Sequence, residues 1–304
     1  MKILNFGSLN LDYVYSVDHF VAEGETLASS VRNTFCGGKG LNQSVALARA
    51  GARVYHAGCI GPEGGMLSDM LLCAGVNVKH VKEVDTPTGH AIIQVDPKGR
   101  NCILLFGGAN QCNDPAYIDE VLTDFDAGDW LVLQNEISSL SHLIASAKQK
   151  GMIVVLNPSP FDKSLIDAGL GSVDYLLLNE TEGKQLTGYE APADILKAIR
   201  ASFPTLKVVL TLGKDGCIYD DGQTCVSHGI YDVKAVDTTA AGDTFTGFFI
   251  SAISQGASPA CAIRRASAAS AIAVSRPGAA PSVPTSDEVD AFLAANTPCT
   301  APTV

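Results

Sequence analysis

Short apolar runs alternate with stretches of helical periodicity along most of the chain. Six of these runs are mostly apolar from end to end, which is typical of strands buried on both faces of a sheet. They are Ile3–Phe6, Val54–Ala57, Trp130–Leu133, Ile153–Leu156, Tyr175–Leu178 and Val208–Leu212. The intervening stretches Leu41–Ala50, Ser141–Lys150 and Ala193–Ser202 have the apolar spacing of amphipathic helices. The alternation predicts an α/β fold in which helices cover both faces of a mostly parallel sheet.

The last part of the chain has a different pattern. From Gly242 onward the periodicity is mostly helical, with candidate helices at Thr244–Ser254, Ala260–Val274 and Asp287–Ala294. We expect a frayed tail from Asn296 to the end.

Residues 13–35 and 89–106 break the alternation in another way. Both segments alternate polar and apolar residues, and the turn sequence Asp96-Pro97-Lys98-Gly99 separates the candidate strands Ala91–Val95 and Cys102–Phe106. Since neither segment contains a helical stretch, they do not extend a parallel sheet. We predict a small β-sheet flap that serves as a lid over a site or as a dimer interface.

Composition places the chain among large globular proteins. Hydrophobic residues make up 46% of the 304 residues and charged residues 17%, so a large core can form and a disordered chain is excluded. We expect a single domain over residues 1–304, because α/β folds of this size often form one unit. The 21 Lys and Arg against 32 Asp and Glu give a net charge of −11, which disfavours a nucleic-acid partner.

The sequence also disfavours export and membrane insertion. The apolar run after Met1 is too short for a signal peptide, and no run approaches the roughly 18 residues that span a bilayer. The nine cysteines are scattered without a C-x-x-C pair or zinc-like spacing, which favours reduced thiols. We therefore expect a soluble cytoplasmic protein with no membrane partner.

The clearest chemical signal is the segment Asp237–Gly247. A turn of small residues opens directly into an apolar helix, so the amides of Ala241, Gly242 and Asp243 would be unpaired at the positive end of the helix, where an anion can approach. The carboxylate of Asp243 would then lie beside the anion and take a proton from a neighbouring hydroxyl. The alternative is an ordinary helix cap formed by Asp or Thr.

A glycine-rich turn, Cys36–Gln43, precedes the first predicted helix. Three glycines within four positions let the backbone approach a ligand closely, and Lys39 and Asn42 can donate hydrogen bonds. The turn matches neither common nucleotide motif, because Gln43 replaces the last glycine of G-x-G-x-x-G and the spacing is wrong for Walker A. The alternative is a purely structural turn.

Polar residues follow three of the predicted strands, at the end where ligands bind in open α/β sheets. Asn10 and Asp12 follow the first strand, where a carboxylate can accept two hydrogen bonds from a vicinal diol; an Asx turn is the alternative. Asn179 and Glu182 follow another strand and either order water around Mg²⁺ or cap the next helix. Glu136 follows a third strand and is a candidate ligand contact.

In this order the motifs resemble the ribokinase branch of the PfkB carbohydrate kinase family. The similarity runs from Gly7–Asp12 to Ala279–Pro284 and includes the two most specific motifs of the family, around Gly37–Gly40 and Asp237–Gly247. The resemblance implies a doubly wound αβα sandwich with a central, mostly parallel sheet and a small β-sheet lid. Because that lid often forms the dimer contact in the family, we expect a homodimer.

The resemblance also implies roles for individual residues. Asp243 becomes the catalytic base, with Ala241, Gly242 and Asp243 as the anion hole. The sugar pocket would consist of Asn10, Asp12, Gly38, Lys39, Asn42, Glu136 and Asp243. The nucleotide would contact Asn179, Thr211, Leu212, Gly213, Lys214, Asp215, Gly216, Gly242 and Ser267. A monovalent cation would be bound, mostly by backbone carbonyls, at Asp237, Thr239, Ala273, Arg276, Gly278 and Ser282, and Glu182 would hold Mg²⁺ through water.

Two positions depart from the family pattern. Relatives often have Asn or His against the adenine where this chain has Ser267, and Cys36 beside the glycine-rich turn is unusual. A thiol at that position would make the protein sensitive to oxidation.

The implied activity is transfer of the γ-phosphoryl group of ATP to the 5-hydroxyl of D-ribose, giving ribose 5-phosphate, with Mg²⁺ and an activating K⁺. The alternatives are a related kinase for another sugar (fructose or deoxyribose) or for a nucleoside, and a sugar-binding protein that has lost catalysis. Ribose is favoured because the polar pocket residues can satisfy every hydroxyl of a small sugar, and because the segment Asn10–Asp12 offers no apolar wall for a base.

Overall fold

Residues 1–302 are described by the structure, a computed structural model, and their strands form one sheet of nine and one of four. The strands are β1 (Ile3–Phe6), β2 (Asn10–Ser16), β3 (Val31–Gly37), β4 (Val54–Ile60), β5 (Asn77–Glu83), β6 (Gly89–Val95), β7 (Asn101–Phe106), β8 (Trp130–Gln134), β9 (Ile153–Asn157), β10 (Tyr175–Asn179), β11 (Lys207–Thr211), β12 (Cys217–Asp220) and β13 (Cys225–His228). The central sheet has the order β13-β12-β11-β10-β9-β8-β1-β4-β5. From β11 to β5 neighbouring strands are parallel, and β12 and β13 add an antiparallel hairpin at one edge.

Helices cover both faces of the central sheet. They are α1 (Lys39–Arg49), α2 (Gly65–Cys73), α3 (Pro115–Leu122), α4 (Leu140–Gln149), α5 (Ser164–Asp167), α6 (Glu180–Thr187), α7 (Pro192–Ser202), α8 (Ala241–Ser254), α9 (Pro259–Val274) and α10 (Ser286–Ala295). In β1 the side chain of Ile3 joins the apolar cluster formed with α1, α8 and α9, whereas Leu4 and Phe6 join the cluster formed with α3, α4 and α7. Both faces of the strand are therefore buried, and the predicted αβα sandwich is confirmed.

The second sheet has the order β3-β2-β6-β7. Its middle strand β2 pairs antiparallel with β3 and parallel with β6. β2 begins at Asn10, shortly after β1 ends at Phe6, so the chain passes directly from the central sheet into the small one. The turn between β6 and β7 is fixed by Asp96, whose Oδ1 accepts hydrogen bonds from the amides of Lys98 (2.9 Å) and Arg100 (3.0 Å).

Each strand and helix named from the pattern is confirmed, with ends that differ by three residues at most. Strands β5, β12 and β13 and helices α2, α3, α5 and α6 were not named from the pattern. The edge strands β5 and β13 carry polar residues that obscure the apolar run. The predicted fraying of the tail, Asn296–Val304, is wrong at Cys299, whose amide donates to the carbonyl of Ile230 at 2.7 Å. Residues 303 and 304 of that tail lie outside the described residues. Within residues 1–302 no helix has both the length and the apolar character needed to cross a membrane.

Candidate active site

The strand order of the central sheet places a cavity at the end of β1. β1 lies between β4 and β8, and ligands in open α/β sheets bind at the carboxyl ends of strands where the order reverses. A cavity of about 1160 Å³ opens there, between the central sheet and the small one. The residues predicted from the sequence that line it are Asn10, Asp12, Gly38, Lys39, Asn42, Glu136, Asn179, Glu182, Thr211, Asp237, Thr239, Ala241, Gly242, Asp243 and Gly278.

The first turn of α8 brings backbone donors to this cavity. Ala240 precedes the helix with a left-handed φ of 59°, and no side chain caps the helix, which excludes an ordinary Asp or Thr cap. The amide of Ala241 donates to the carbonyl of Thr238 at 3.2 Å, so the prediction of an unpaired Ala241 amide is wrong. Among residues 1–302 no acceptor faces the amides of Gly242 and Asp243, which are left to bind an anion.

The Asp243 carboxylate is held by two side chains of α1. Asn42 Nδ2 donates to Oδ2 at 3.1 Å, and Gln43 Nε2 donates to Oδ1 at 2.9 Å. Burial raises the pKa of Asp243 to about 6, although the hydrogen bond from Gln43 and the charge of Lys39 lower it. The carboxylate is thus ionised at neutral pH and still basic enough to accept a proton, as a general base must be.

The glycines at the start of α1 make room mainly for the protein itself. A Cβ on Gly37 would lie 2.1 Å from the carboxylate of Asp12, and one on Gly40 would lie 2.4 Å from the backbone of Gly7. Gly38 has a φ of 93°, in the left-handed region that favours glycine. Of these three glycines only Gly38 lines the cavity, so the predicted close approach to a ligand applies to Gly38 alone.

Lys39 and Glu136 form an ion pair in the cavity. Lys39 Nζ lies 3.0 Å from Glu136 Oε1, and the Lys39 amide donates to Oε2 at 3.1 Å. Ser8 Oγ donates to the same Oε2. Burial alone would lower the pKa of Lys39, but the charges of Glu136 and Asp243 raise it above its ordinary value. Lys39 is therefore a permanently charged donor toward a ligand.

Asn10 and Asp12 stand on the strand β2 and not in an Asx turn, which excludes that alternative. Asn110 Nδ2 donates to Asn10 Oδ1 at 2.7 Å, which leaves the Asn10 amide group to donate to a ligand. Burial raises the pKa of Asp12 to about 6, with a further increase from Glu136 and an opposing effect of Lys39. The two side chains thus offer a donor and an acceptor side by side.

Asn179 and Glu182 form the helix cap that was the alternative to a magnesium site. Asn179 Oδ1 accepts from the Glu182 amide at 2.9 Å, and Glu182 Oε2 accepts from the Asn179 amide at 3.0 Å. Both residues also line the cavity. The cap occupies one oxygen of Glu182 and leaves the other for a ligand.

A second cavity of about 430 Å³ adjoins the first and shares Thr211, Ala241 and Gly242 with it. The other predicted nucleotide residues that line it are Gly213, Lys214, Gly216 and Ser267. Leu212 and Asp215 line neither cavity, because the Leu212 side chain is buried in the core and Asp215 is exposed on the tight turn. Their side chains are therefore not placed for the predicted contact.

Part of the predicted cation site comes together beside the main cavity. Asp237 Oδ1 accepts from the Thr239 amide, and Oδ2 accepts from the Gly278 amide, each at 2.9 Å. The other predicted ligands, Ala273, Arg276 and Ser282, line neither cavity. The Arg276 guanidinium pairs with Glu288 at 2.6 Å, so only the backbone of Arg276 is left for such a role.

Three buried polar residues that shape the site were not predicted. Ser8 orients Glu136, Asn110 orients Asn10, and Gln43 orients Asp243. Ser8 and Gln43 lie close to Asn10 and Asn42 in motifs that the sequence marks as candidate binding segments. Their polar side chains at these positions could have been predicted to support the site. Asn110 lies in a segment whose pattern gives no sign of the contact.

The chain matches the family model described as pfkB family carbohydrate kinase over residues 1–286. It is 38% identical over 298 residues to a ribokinase of Haemophilus influenzae, covering 94% of this chain and 96% of that protein. A deoxyribokinase of Salmonella typhi is 31% identical, with 97% of this chain and 100% of that protein covered. The structure of Arabidopsis thaliana ribokinase complexed with ribose and ATP gives a TM-score of 0.85 at 30% identity, covering 96% of this chain and 98% of that one. The chain therefore belongs to the pfkB family of carbohydrate kinases.

Proposed function

We propose that the protein transfers the γ-phosphoryl group of ATP to the 5-hydroxyl of D-ribose, giving ribose 5-phosphate and ADP. The observation that carries the proposal is the meeting, in one cavity, of the Asp243 carboxylate, two unpaired amides of α8 and the polar side chains that face them. The ribokinase of Haemophilus influenzae and the Arabidopsis thaliana complex with ribose and ATP support this choice of acceptor and donor.

Asp243 is the base of the proposed reaction. Its carboxylate takes the proton of the 5-hydroxyl while the hydroxyl oxygen bonds to the γ-phosphorus and the bond to the bridging oxygen of ADP breaks. The hydrogen bond from Gln43 fixes the carboxylate, so little reorganisation is needed when the hydroxyl arrives, and Asn42 adds a second hydrogen bond in the ligand-free protein.

The amides of Gly242 and Asp243 supply electrostatic stabilisation. They lie in the first turn of the 14-residue helix α8, where the helix dipole favours negative charge. We propose that they face the γ-phosphoryl group as charge spreads over its oxygens. Closure of the small sheet over the cavity would exclude water that otherwise accepts the phosphoryl group.

The reaction class implies Mg²⁺, and Glu182 fits a role in holding it. The Glu182 carboxylate is buried, lines the cavity and keeps one oxygen outside the helix cap. Carboxylate contact through water is a common way to hold this ion. When bound, the ion would neutralise charge on the phosphates of the nucleotide.

We also propose an activating K⁺ beside α8. Burial raises the pKa of Asp237, but hydrogen bonds from Thr239 and Gly278 lower it below the ordinary value, so the carboxylate is ionised. We propose that this charge, together with backbone carbonyls of Ala273, Arg276 and Gly278, would hold a monovalent cation that supports the loop leading into α8.

The identity of the sugar acceptor is the part of the proposal that has the strongest alternative. The deoxyribokinase of Salmonella typhi is a relative of similar coverage. Ribose and deoxyribose differ by one hydroxyl group, so few contacts can separate them. A nucleoside also stays open, because the small sheet provides an apolar wall that the segment Asn10–Asp12 lacks: Val14, Ile93, Ile103 and Leu105 line the cavity. The polar set around Asp12 and Lys39 favours ribose, since a site that hydrogen-bonds each hydroxyl rejects analogues without them.

A panel of acceptors tests the proposal. ADP formation is measured with D-ribose, 2-deoxyribose, fructose and adenosine, each with and without K⁺. We expect the highest kcat/KM for ribose and an increase with K⁺. ADP formation that no acceptor stimulates would contradict a sugar kinase, and a preference for adenosine would contradict the assignment of ribose.

We further propose a homodimer joined through the small sheet and a cytoplasmic location. Leu104 and Phe106 on strand β7 are exposed apolar side chains that do not line the cavity, and a second copy would cover them. The cysteines of the described chain are free thiols, which is typical of a reducing compartment.

A further inference from the structure

We infer that Gln43 is a positioning residue for the base, and that it holds the Asp243 carboxylate because a chain of buried polar side chains fixes Gln43 from behind. The inference rests on the proposed function for the role of Asp243 as base. The contacts that carry it do not depend on which hydroxyl is phosphorylated.

The polar chain runs from Asp243 into the centre of the molecule. Gln43 Nε2 donates to Asp243 Oδ1 at 2.9 Å, and Gln134 Nε2 donates to Gln43 Oε1 at 2.7 Å. Gln134 Nε2 also donates to Asn5 Oδ1 at 2.9 Å, and Asn5 Nδ2 donates to Ser44 Oγ at 2.8 Å. The members behind Asp243, which we call the buried amide chain, are Gln43, Gln134, Asn5, Ser44 and His56, and each is 0% exposed.

The buried amide chain allows Gln43 only one orientation. Both protons of Gln134 Nε2 are used, one on Asn5 Oδ1 and one on Gln43 Oε1. A reversed Gln43 amide would place its NH₂ group against that of Gln134 and its carbonyl oxygen against the carboxylate of Asp243. Each of these contacts is repulsive, so Gln43 is a fixed donor to Asp243.

Asn42, the other donor to Asp243, is not fixed in this way. Its Oδ1 is buried without a partner in the described part of the chain, and no side chain holds it from behind. Asn42 can therefore turn between Asp243 and a bound sugar at little cost. The two neighbouring amides thus have different roles: Asn42 faces the ligand, and Gln43 keeps the base in place.

The far end of the buried amide chain carries no charge. Burial lowers the pKa of His56 to about 3, so its ring is neutral at physiological pH. The charged groups that face Asp243 are Lys39, which lowers its pKa, and Glu136, which raises it. The buried amide chain therefore acts on Asp243 through one directed hydrogen bond and not through a charge.

Loss of the hydrogen bond from Gln43 should change the pKa of Asp243 in a predictable direction. The hydrogen bond from Gln43 favours the ionised carboxylate, so a Gln43→Met variant raises the pKa of Asp243. Because the reaction needs the ionised base, the acid limb of kcat moves to higher pH. We expect kcat at neutral pH to fall about 10- to 100-fold from the misplaced base, with the KM for ribose changed less than about threefold.

The test compares Gln43→Met, Gln134→Met and the double variant with a control. kcat and KM are measured against pH, and the carboxyl ¹³C signal of Asp243 is titrated in the ligand-free protein, identified by its absence in Asp243→Asn. Gln134→Met should move the acid limb of kcat and the Asp243 titration to higher pH, but by less than Gln43→Met does. The double variant should give the same shifts as Gln43→Met alone. The control is Ser251→Ala, which removes another buried hydrogen bond of α8, to the carbonyl of Ala50 (3.1 Å). It should reduce stability without moving the acid limb.

The two readouts separate this inference from the proposed function. If wild-type protein phosphorylates no sugar, the proposed function fails, and the carboxyl titration still decides whether Gln43 controls Asp243. An Asp243 titration that Gln43→Met leaves unchanged would overturn the inference. Additive effects of the Gln43 and Gln134 substitutions would overturn the role of the chain behind it.

Discussion

Asn42 and Asp243 are joined by a hydrogen bond of 3.1 Å although 201 positions separate them in the sequence. The bond connects the start of α1 with the start of α8. The two helices pack closely, because a Cβ on Gly247 would lie only 2.4 Å from the Cβ of Ala46. The contact between these helices therefore brings the proposed base to the residues proposed to bind the sugar.

This close contact predicts that Gly247→Ala is harmful. The added methyl group would force α1 and α8 apart, so we expect a loss of about 1–3 kcal/mol in the free energy of unfolding and a lower kcat. Urea unfolding and the coupled ADP assay measure the two effects. Gly65→Ala is the matched control, because a Cβ there meets nothing within 4 Å. Equal stability of the two variants would contradict the packing argument.

Asp243→Asn should stabilise the protein at alkaline pH. In the folded protein the pKa of Asp243 is raised to about 6 from an ordinary 3.8, a difference that corresponds to at most about 3 kcal/mol. Folding therefore favours the protonated form, and the wild type loses stability as pH rises from about 4 to about 6. The variant lacks this loss, and Asn42 can turn its unpartnered Oδ1 toward the new amide.

Thermal unfolding across this pH range checks that prediction. The variant should have the higher Tm at pH 8, and the difference should shrink toward pH 4. A constant difference at all pH values would mean that the Asp243 charge is not the cause.

The activity should fall in acid because two carboxylates of the site are protonated there. Burial raises the pKa of both Asp12 and Asp243 to about 6, and each must be ionised to accept a hydroxyl proton or hydrogen bond. We expect kcat/KM for the sugar to decrease below about pH 6 more steeply than loss of one proton allows. A profile that is flat down to pH 5 would contradict the assignment of both residues.

The central sheet was predictable because strands buried on both faces are mostly apolar, as in Ile3–Phe6. Asn5 is the exception in this strand, a polar residue at a buried position. Its partner Gln134 is 129 positions away, and Gln134 in turn donates to Gln43 on helix α1. Sequence shows that such a residue needs a partner, but only the fold shows which residue it is.

The motifs located the site well, but they could not separate backbone roles from side-chain roles. The segment Asp237–Gly247 does open into α8 at the cavity, yet the Ala241 amide is used by Thr238. The glycines at the start of α1 are needed, but Gly37 and Gly40 make room for neighbouring protein atoms and not for a ligand. Both outcomes depend on distances between segments that are far apart in the sequence.

The proposed dimer contact through the small sheet can be tested by placing a charge on it. Leu104 on β7 is 67% exposed, so Leu104→Lys should weaken a dimer joined through this sheet without unfolding the protein. Light scattering over a range of concentrations measures the mass. Leu72→Lys on α2, at 54% exposure, is the matched control and should leave the mass unchanged. A wild-type protein that is monomeric throughout would contradict the proposed dimer.

The role of Asp243 as the base is the central claim, and ribose-dependent ADP formation by Asp243→Asn tests it most directly. Binding of ribose and of ATP is measured by calorimetry on the same protein, so that lost binding is not mistaken for lost chemistry. The account predicts that kcat falls roughly 10²- to 10⁴-fold while both dissociation constants stay within about threefold of wild type. Turnover close to that of the wild type would contradict it.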